Sequence, residues 1–303
     1  MKLGFRRIAL LLAVLALVAA ACGEDTPPED TSPQAGDETV CDTHDPDAGD
    51  LLAEICSNGE IRVSTDPAYP PQSELNPETG EYEGFDIEVA NEIADRLGVQ
   101  VAWETPDWEV LTAGGWNDRW DMSVGSMTPT NERQEVLNFT EPYSFVPAVV
   151  VVHEDSDVSD VTTELDGAEI GVCADCTYQF FLEKSLEISG FEFDFVIDDA
   201  TVTGYDTDTT ALQDLALGDG RRLDAVMTSA PTADAFAEEN PVKVVGDPVF
   251  GEPLAIAFDK NSELDGASLL EAVDRIVADM HADGTLTEFS EQWYDGIDVT
   301  KVA

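Results

Sequence analysis

The sequence predicts an α/β fold of two lobes, with parallel-rich sheets covered by flanking helices. Short apolar segments rich in β-branched residues alternate with longer segments whose apolar residues recur every three or four positions. This alternation runs twice, first from about residue 58 and again from about residue 149. The two series cover about 245 residues, which is enough for two lobes with a core each.

The first series contains a helix between two strands. Residues 61–64 have the pattern of a strand, and residues 86–97 carry apolar side chains at helical spacing. Gly98 follows them and is suited to end a helix. Alternating apolar residues predict another strand at 99–103, and residues 122–124 predict a further one.

The second series supplies more strands and the C-terminal helices. Apolar strands are predicted at residues 149–152, 170–172 and 225–227. A long amphipathic helix is predicted to stop at Gly284, followed by a short helix over residues 286–293. Acidic residues near Gly284 approach the spacing of a calcium loop, but Ser290 stands where that loop needs a bidentate Glu. We therefore expect a helix end there and no metal site.

The first 21 residues have the organisation of an export signal. A basic start is followed by an apolar run over residues 8–18 and by three alanines at 19–21. The apolar run is shorter than the roughly 20 residues that a membrane-spanning helix needs. Cys22 and Gly23 then resemble the lipobox of bacterial lipoproteins. We expect residues 1–21 to be a lipoprotein signal peptide and Cys22 to anchor the exported protein to the outer face of the cytoplasmic membrane, at the cell surface or in the periplasm.

The chain is strongly acidic. Its 303 residues include 14 Lys and Arg against 64 Asp and Glu, which gives a formal net charge of −50. Such a polyanion would repel phosphates, so a nucleic-acid partner is excluded. Residues 22–56 are acidic and proline-rich, and we expect them to form an extended tether.

The cysteines suggest disulfides. If Cys22 carries lipid, four cysteines remain, and an even number in an oxidising compartment favours two bridges. Proximity favours Cys41 with Cys56 and Cys173 with Cys176. The last pair also has the spacing of a redox motif, and four cysteines could bind zinc. Both alternatives are less favoured, because the thioredoxin context and a second close pair are absent.

Eight short segments, in order along the chain, together resemble one known family. They are IRVSTDPAYPP at 61–71, GFDIEVA at 84–90, WD at 120–121, SMTPTNER at 126–133, FTEPY at 139–143, YDT at 205–207, LDAV at 223–226 and HADGTL at 281–286. The chain resembles the family 3 extracellular solute-binding proteins, the polar amino-acid receptors of ABC importers, over residues 57–298. Several ordered motifs over this span are far more specific than a single short match.

This resemblance implies a fold and a function. The fold would be type II periplasmic-binding-protein-like, with two hinge strands joining lobe 1 (residues 57–146 and 255–303) to lobe 2 (residues 147–254). The function would be that of an extracytoplasmic lipoprotein that captures a small polar solute, an amino acid or related carboxylate, by lobe closure. The implied partner is an ABC permease in the membrane. No cofactor and no enzymatic activity are implied.

The resemblance also implies which residues contact the ligand head group. Arg133 would bind the α-carboxylate, since a guanidinium can hold a carboxylate through two hydrogen bonds. Ser126 and Thr128 would contact the same group, and Gly125 could contribute only main-chain atoms. Thr177 begins a predicted helix on the opposite side, where backbone N–H groups favour an anion.

Three further positions would line the first-lobe wall. The resemblance puts Asp66 and Tyr69 there, and Trp108 in the position that stacks on the ligand. A carboxylate could accept hydrogen bonds from an amine, while aromatic faces pack against aliphatic groups or attract cations.

Two positions depart from the family pattern. Ser229 occupies the position of the acid that binds the ligand ammonium, and a hydroxyl cannot neutralise a desolvated charge. Either Asp66 assists Ser229, or the ligand is not a standard α-amino acid. Gln72 replaces a usual Phe and is expected to add a polar group near the mouth of the cleft.

Two alternative functions remain open from the sequence. The protein could present its ligand to a sensory receptor instead of a permease. It could also be an enzyme, because some cyclohexadienyl dehydratases resemble these receptors. The enzyme is less favoured because the three histidines are scattered and no paired acid and base stands out.

Overall fold

The computed structural model describes residues 38–301. The predicted signal peptide and Cys22 lie outside these residues. The helices within them are α1 (Val40–Thr43), α2 (Leu51–Asn58), α3 (Phe85–Leu97), α4 (Trp108–Thr112), α5 (Arg133–Val136), α6 (Thr177–Leu182), α7 (Asp208–Leu215), α8 (Ala230–Ala237), α9 (Ala267–Asp283) and α10 (Thr285–Trp293).

The strands alternate with these helices. They are β1 (Glu60–Ser64), β2 (Ala68–Tyr69), β3 (Ser73–Leu75), β4 (Tyr82–Glu83), β5 (Gln100–Glu104), β6 (Met122–Met127), β7 (Leu137–Phe139), β8 (Ser144–His153), β9 (Glu169–Cys173), β10 (Thr201–Tyr205), β11 (Ala225–Ser229) and β12 (Val242–Asp259). The prediction of an α/β fold is confirmed.

One mixed sheet organises the molecule. Its strand order is β10-β9-β11-β8-β12-β6-β1-β5, with β7 paired to β12. Strand β12 pairs with β8 over Val242 to Leu254 and then with β6 and β7 over Ala255 to Asp259. We call β5, β1, β6, β7 and residues 255–259 the first half, and β10, β9, β11, β8 and residues 242–254 the second half. Strands β2, β3 and β4 form a separate small antiparallel sheet.

Each half of the sheet has its own buried core. In the first half, Val89, Ile93 and Leu97 of α3 are completely buried against strands and the C-terminal helices. Their spacing of four residues is the helical period that the sequence shows. In the second half, one apolar cluster surrounds Phe181 and another surrounds Leu212. Two cores are expected when helices must cover separate halves of a sheet.

Two long strands carry the chain between the halves. Strand β8 follows the first-half strand β7, and β12 returns the chain from the second half to the first. The lobe boundaries expected at residues 146/147 and 254/255 fall inside these two strands. Their antiparallel pairing with each other runs from Val242–His153 to Leu254–Ser144.

Most predicted elements agree closely with the structure. The helix predicted at 86–97 is α3, and it ends at Gly98 with the left-handed φ of 88° that glycine adopts without strain. The helix predicted to stop at Gly284 is α9, and the predicted short helix after it is α10. Both predicted disulfides, Cys41–Cys56 and Cys173–Cys176, are present.

The expected tether is wrong from Val40 onward. Helix α1 and helix α2 lie inside the range 22–56 that was expected to be extended. Asp50 caps α2 by accepting a hydrogen bond from the Ala53 N–H at 2.9 Å. Leu52 is only 2% exposed and joins the first-half core. The range expected to be an extended tether therefore contains a short apolar helix, α2, that packs on the folded body.

The described residues carry neither a spanning helix nor a metal cluster. Between residues 38 and 301, no helix combines the length and apolar character needed to cross a bilayer. The same part of the chain has no group of three or more His, Cys, Asp or Glu side chains arranged to hold a metal ion.

Replacing Leu52 by alanine tests whether α2 belongs to the folded body. We expect Leu52→Ala to lower the free energy of unfolding by about 2–5 kcal/mol, the usual cost of a cavity in a core. Glu54→Ala, on the exposed side of the same helix, should change it by less than about 0.5 kcal/mol. Urea unfolding of both variants measures the difference, and equal stabilities would show that α2 is not part of the core.

Candidate functional site

A cavity lies between the two halves, at the carboxyl ends of the parallel strands. Strands β1, β6, β9, β10 and β11 all end beside it, which is where ligands bind in open α/β sheets. Its walls include all nine residues that the sequence analysis selected as ligand contacts: Asp66, Tyr69, Trp108, Gly125, Ser126, Thr128, Arg133, Thr177 and Ser229. Asp66 and Ser229, which are 163 positions apart in the chain, therefore share one cavity.

Arg133 is a buried cation with free hydrogen-bonding capacity. It begins α5 and is 4% exposed. Its Nη1 donates to the carbonyl of Thr128 and its Nη2 to the carbonyl of Asp175, both at 3.0 Å. None of the eight ion pairs found in residues 38–301 includes it. Burial lowers the pKa of Arg133 to about 10, so the group stays charged at neutral pH.

Trp108 and Arg133 contact each other and donate hydrogen bonds to the same carbonyl group across the cleft. The guanidinium carbon lies 4.9 Å from the centroid of the Trp108 ring, within cation–π distance. Trp108 Nε1 donates to the carbonyl of Asp175 at 3.2 Å, the same oxygen that accepts from Arg133. Asp175 belongs to the loop closed by the Cys173–Cys176 disulfide and has a φ of 57°. Two first-half side chains thus meet one second-half carbonyl.

Ser126 is held by a buried network beneath the cavity. Its hydroxyl donates to Asp86 at 2.8 Å, and its N–H donates to the Tyr143 hydroxyl at 3.1 Å. The Tyr143 hydroxyl in turn donates to Asp86 at 2.8 Å. Burial raises the pKa of Asp86 to about 6. This network supports a φ of 52° at Ser126, a backbone conformation that non-glycine residues adopt with strain and that concentrates at functional sites.

Gly125 and Thr128 lie on either side of Ser126. Gly125 precedes it in β6 and offers only backbone atoms to the cavity. Thr128 follows the strand, and its hydroxyl donates to Glu252 at 2.8 Å.

Glu252 is a buried carboxylate that the sequence analysis did not select. It lies on β12 and is 4% exposed. Besides the hydroxyl of Thr128, it accepts the hydroxyls of Thr177 and Tyr178, both at 2.6 Å. The hydroxyls of Thr128 and Thr177, expected to contact the ligand, are therefore directed at a protein carboxylate.

Asp66 and Tyr69 form the wall that follows β1. Asp66 accepts a hydrogen bond from the Ala68 N–H at 2.8 Å, and burial raises its pKa. Burial, together with the negative charges of Asp208 and Glu252, raises the pKa of Tyr69 well above its ordinary value. Tyr69 therefore faces the cavity as a neutral phenol.

Ser229 and Gln72 bond to each other. Gln72 Nε2 donates to the Ser229 hydroxyl at 2.9 Å, and the Ser229 hydroxyl donates to Thr232 at 2.9 Å. The expectation that Gln72 lies near the mouth of the cleft is wrong, since this side chain is only 1% exposed. A glutamine amide can reach across the cleft to a hydroxyl, which a Phe at this position could not do.

Asp208 is a second buried acid outside the sequence prediction. It is the first residue of α7, lines the cavity and is 5% exposed. Burial, with the nearby charge of Glu252, raises its pKa to about 8. The sequence offered one signal for each missed acid. Glu252 is an acidic residue inside a long strand, near the apolar run at 254–258, and Asp208 begins a helix directly after the matched segment at 205–207.

The raised pKa values predict that the protein becomes more stable as the pH falls from about 8.5 to about 5.5. Asp86 and Asp208 take up protons at higher pH in the folded chain than in the unfolded chain, where their pKa is near 3.8. The folded state therefore binds more protons throughout this window, and the free energy of unfolding rises on acidification.

Urea unfolding at constant ionic strength measures this pH dependence. Asp86→Asn and Asp208→Asn should each flatten the dependence, whereas Asp219→Asn, which removes an exposed charge, should leave its slope nearly unchanged. A free energy of unfolding that is constant or falls on acidification would contradict the prediction.

Comparisons with known proteins agree with this geometry. The family model described as bacterial extracellular solute-binding proteins, family 3, matches residues 61–296. The L-cystine-binding protein TcyJ of Escherichia coli is 29% identical over 254 residues, covering 83% of this chain and 88% of its own length. The L-arginine-binding protein of Pseudomonas aeruginosa is 30% identical over 225 residues, covering 71% and 82%.

A solved structure extends the agreement to the fold. The crystal structure of the ancestral amino acid-binding protein AncCDT-1, a precursor of cyclohexadienyl dehydratase, has a TM-score of 0.67 and 26% identity, covering 80% of this chain and 99% of that chain. The two-part α/β architecture is the type II periplasmic binding fold. The chain belongs to the bacterial extracellular solute-binding proteins of family 3.

Proposed function

We propose that the protein is the substrate-binding lipoprotein of an ABC importer and captures an amino acid or a related small carboxylate by closure of its two lobes. The observation that carries the proposal is Arg133, a charged guanidinium buried in the cavity wall without an ion-pair partner among residues 38–301. A buried charge is costly unless it is paired, so this site favours an anionic group from the ligand.

The geometry around Arg133 leaves room for that role. A guanidinium has five N–H donors, and that of Arg133 makes two hydrogen bonds within residues 38–301, both to backbone carbonyls. The remaining donors can hold a carboxylate. The Trp108 ring lies within cation–π distance of the guanidinium and lines the cavity with an apolar surface. Asp66, Tyr69, Ser126 and Ser229 also line the cavity.

Lobe closure is supported by hydrogen bonds that cross the cleft. Besides the contacts to Asp175, Gln72 donates to Ser229, and the Thr209 hydroxyl donates to the carbonyl of Ala68 at 3.2 Å. The Asn131 N–H also donates to the carbonyl of Glu187 at 2.9 Å. These few polar contacts would separate if the halves moved apart about β8 and β12. A ligand that touches both walls would favour the closed arrangement through its additional contacts.

The relatives support an amino acid as the ligand. Their names assign L-cystine and L-arginine to them, and the ancestral neighbour is itself described as an amino acid-binding protein. These descriptions favour binding over catalysis for this chain. Delivery to a permease and anchoring through Cys22 complete the proposal.

Substitution of Arg133 tests the ligand-binding role. Calorimetric titration of the protein with a panel of amino acids should identify at least one that binds one-to-one. Arg133→Lys should weaken that binding about 10- to 100-fold, because an ammonium cannot reproduce two-pronged carboxylate recognition.

Arg119 provides a matched control. It also lies over a tryptophan, with its guanidinium carbon 4.6 Å from the centroid of the Trp120 ring, but it does not line the cavity. Arg119→Lys should therefore leave affinity unchanged. Unchanged affinity in Arg133→Lys, or no binding by any amino acid in the panel, would overturn the proposed function.

Substitution of Cys22 tests the anchor separately. The full chain expressed in a bacterium should sediment with membranes and incorporate labelled palmitate. Cys22→Ser should release it into the soluble exported fraction, because membrane attachment would depend on acyl chains at this residue. Membrane association that persists in Cys22→Ser, or wild-type protein without label, would contradict lipidation.

A further inference from the structure

The position that the resemblance to the family assigns to the ligand ammonium cannot serve that purpose in this chain. Ser229 stands there, and a hydroxyl carries no charge to balance an ammonium. Its oxygen is also occupied, since it accepts from Gln72, donates to Thr232 and accepts the Thr232 N–H at 3.3 Å. An amino acid bound through Arg133 therefore needs another anionic partner for its ammonium group.

Asp208 has the unsatisfied oxygen that such a partner requires. Its side chain is 95% buried and lines the cavity, yet its Oδ1 has no hydrogen-bond partner among the described residues. The Thr228 hydroxyl on β11 makes no hydrogen bond of normal geometry with these residues either, but it lies close enough to Asp208 to lower the pKa of this acid, as does the Cys173 N–H. Buried polar atoms nearly always have partners in folded proteins, so this oxygen of Asp208, which no donor within residues 38–301 holds at normal hydrogen-bond geometry, can accept a hydrogen bond from a ligand in the cavity.

The other acids of the cavity wall differ from Asp208. Glu252 accepts three hydroxyls, while Asp66 accepts the Ala68 N–H through one oxygen and is only half-buried, so water can reach it. Asp208 is the one carboxylate among the buried side-chain atoms of residues 38–301 that lack a partner. It also belongs to the same wall as Ser229, because α7 packs against β11.

We propose that Asp208 binds the α-ammonium group of the amino-acid ligand, in place of the acid that is absent at Ser229. This inference rests on the proposed function. It also bears on ligand choice, because four carboxylates (Asp66, Asp206, Asp208 and Glu252) and a single Arg line the cavity. The cavity therefore disfavours amino acids with an acidic side chain and suits neutral or cationic ones.

Binding should be coupled to proton release. Asp208 faces Glu252 on β12, Asp66 after β1, and the tyrosines Tyr69 and Tyr178. With a pKa of about 8, the free carboxyl is largely protonated at pH 6. An arriving ammonium favours the ionised form, so the proton leaves to solvent and affinity increases as the pH rises from 6 to 8.

A cycle that changes both ligand and protein tests the contact. The tightest-binding amino acid of the panel is compared with its analogue lacking the α-amino group, which for L-arginine is 5-guanidinopentanoate. For the amino acid, Asp208→Asn should weaken binding about 10- to 100-fold, the effect of losing a hydrogen bond to a charged group. For the analogue, Asp208→Asn should change binding less than about threefold, because the donor is already missing.

Controls separate a direct contact from a structural effect. Asp219→Asn removes an exposed charge from the same half and should alter neither affinity. Titrations in buffers of different ionisation enthalpy should show proton release at pH 7 for the wild type and much less for Asp208→Asn. Unchanged amino-acid affinity in Asp208→Asn, or an equal loss for both ligands, would overturn the role of Asp208 while the proposed function stands. Failure of every amino acid to bind the wild type would overturn both.

Discussion

The arrangement of the cleft depends on a buried carboxylate, Glu252, on the strand that belongs to both halves of the sheet. A negative charge in such a place is tolerated only if donors surround it. Thr128 supplies one hydroxyl from the first half, while Thr177 and Tyr178 supply two from the second. The acid therefore joins the ends of β6 and α6 at the point where the two halves meet, and it fixes the back wall of the cavity.

Under the proposed function, the charges around this wall explain how an acidic protein would hold a ligand with a carboxylate. The chain carries a formal net charge of −50, yet the cavity contains Arg133 without an ion-pair partner among residues 38–301. Arg133 is thus a local positive focus in a negative surrounding. The carboxylates nearby complement the other end of a zwitterion. The proposed ligand presents both charges at once, as do L-cystine and L-arginine, which the names of two relatives give as their ligands.

Sequence periodicity predicted the elements whose structure is local, and the resemblance led to residues that the fold brings together in one cavity. The apolar residues of α3 recur at helical spacing in the sequence, so the helix could be predicted from them. Arg133 and Trp108 were selected from the family resemblance, and both line the cavity. Glu252 and Asp208 were missed because their roles arise from packing. The bond from Thr128 to Glu252 spans 124 residues, and no local pattern signals it. The predicted tether included α2 because the acidic composition of this range indicated an extended chain, and a helix of only eight residues shows too few turns to reveal its period.

The most direct test is a crystal structure of the protein with its tightest-binding amino acid. The account predicts ligand carboxylate oxygens about 3 Å from guanidinium nitrogens of Arg133, and the ammonium nitrogen at a similar distance from Asp208. Contacts from both halves should surround the ligand. A ligand bound in this cavity with its carboxylate away from Arg133, or a ligand bound elsewhere on the protein, would contradict the central claim.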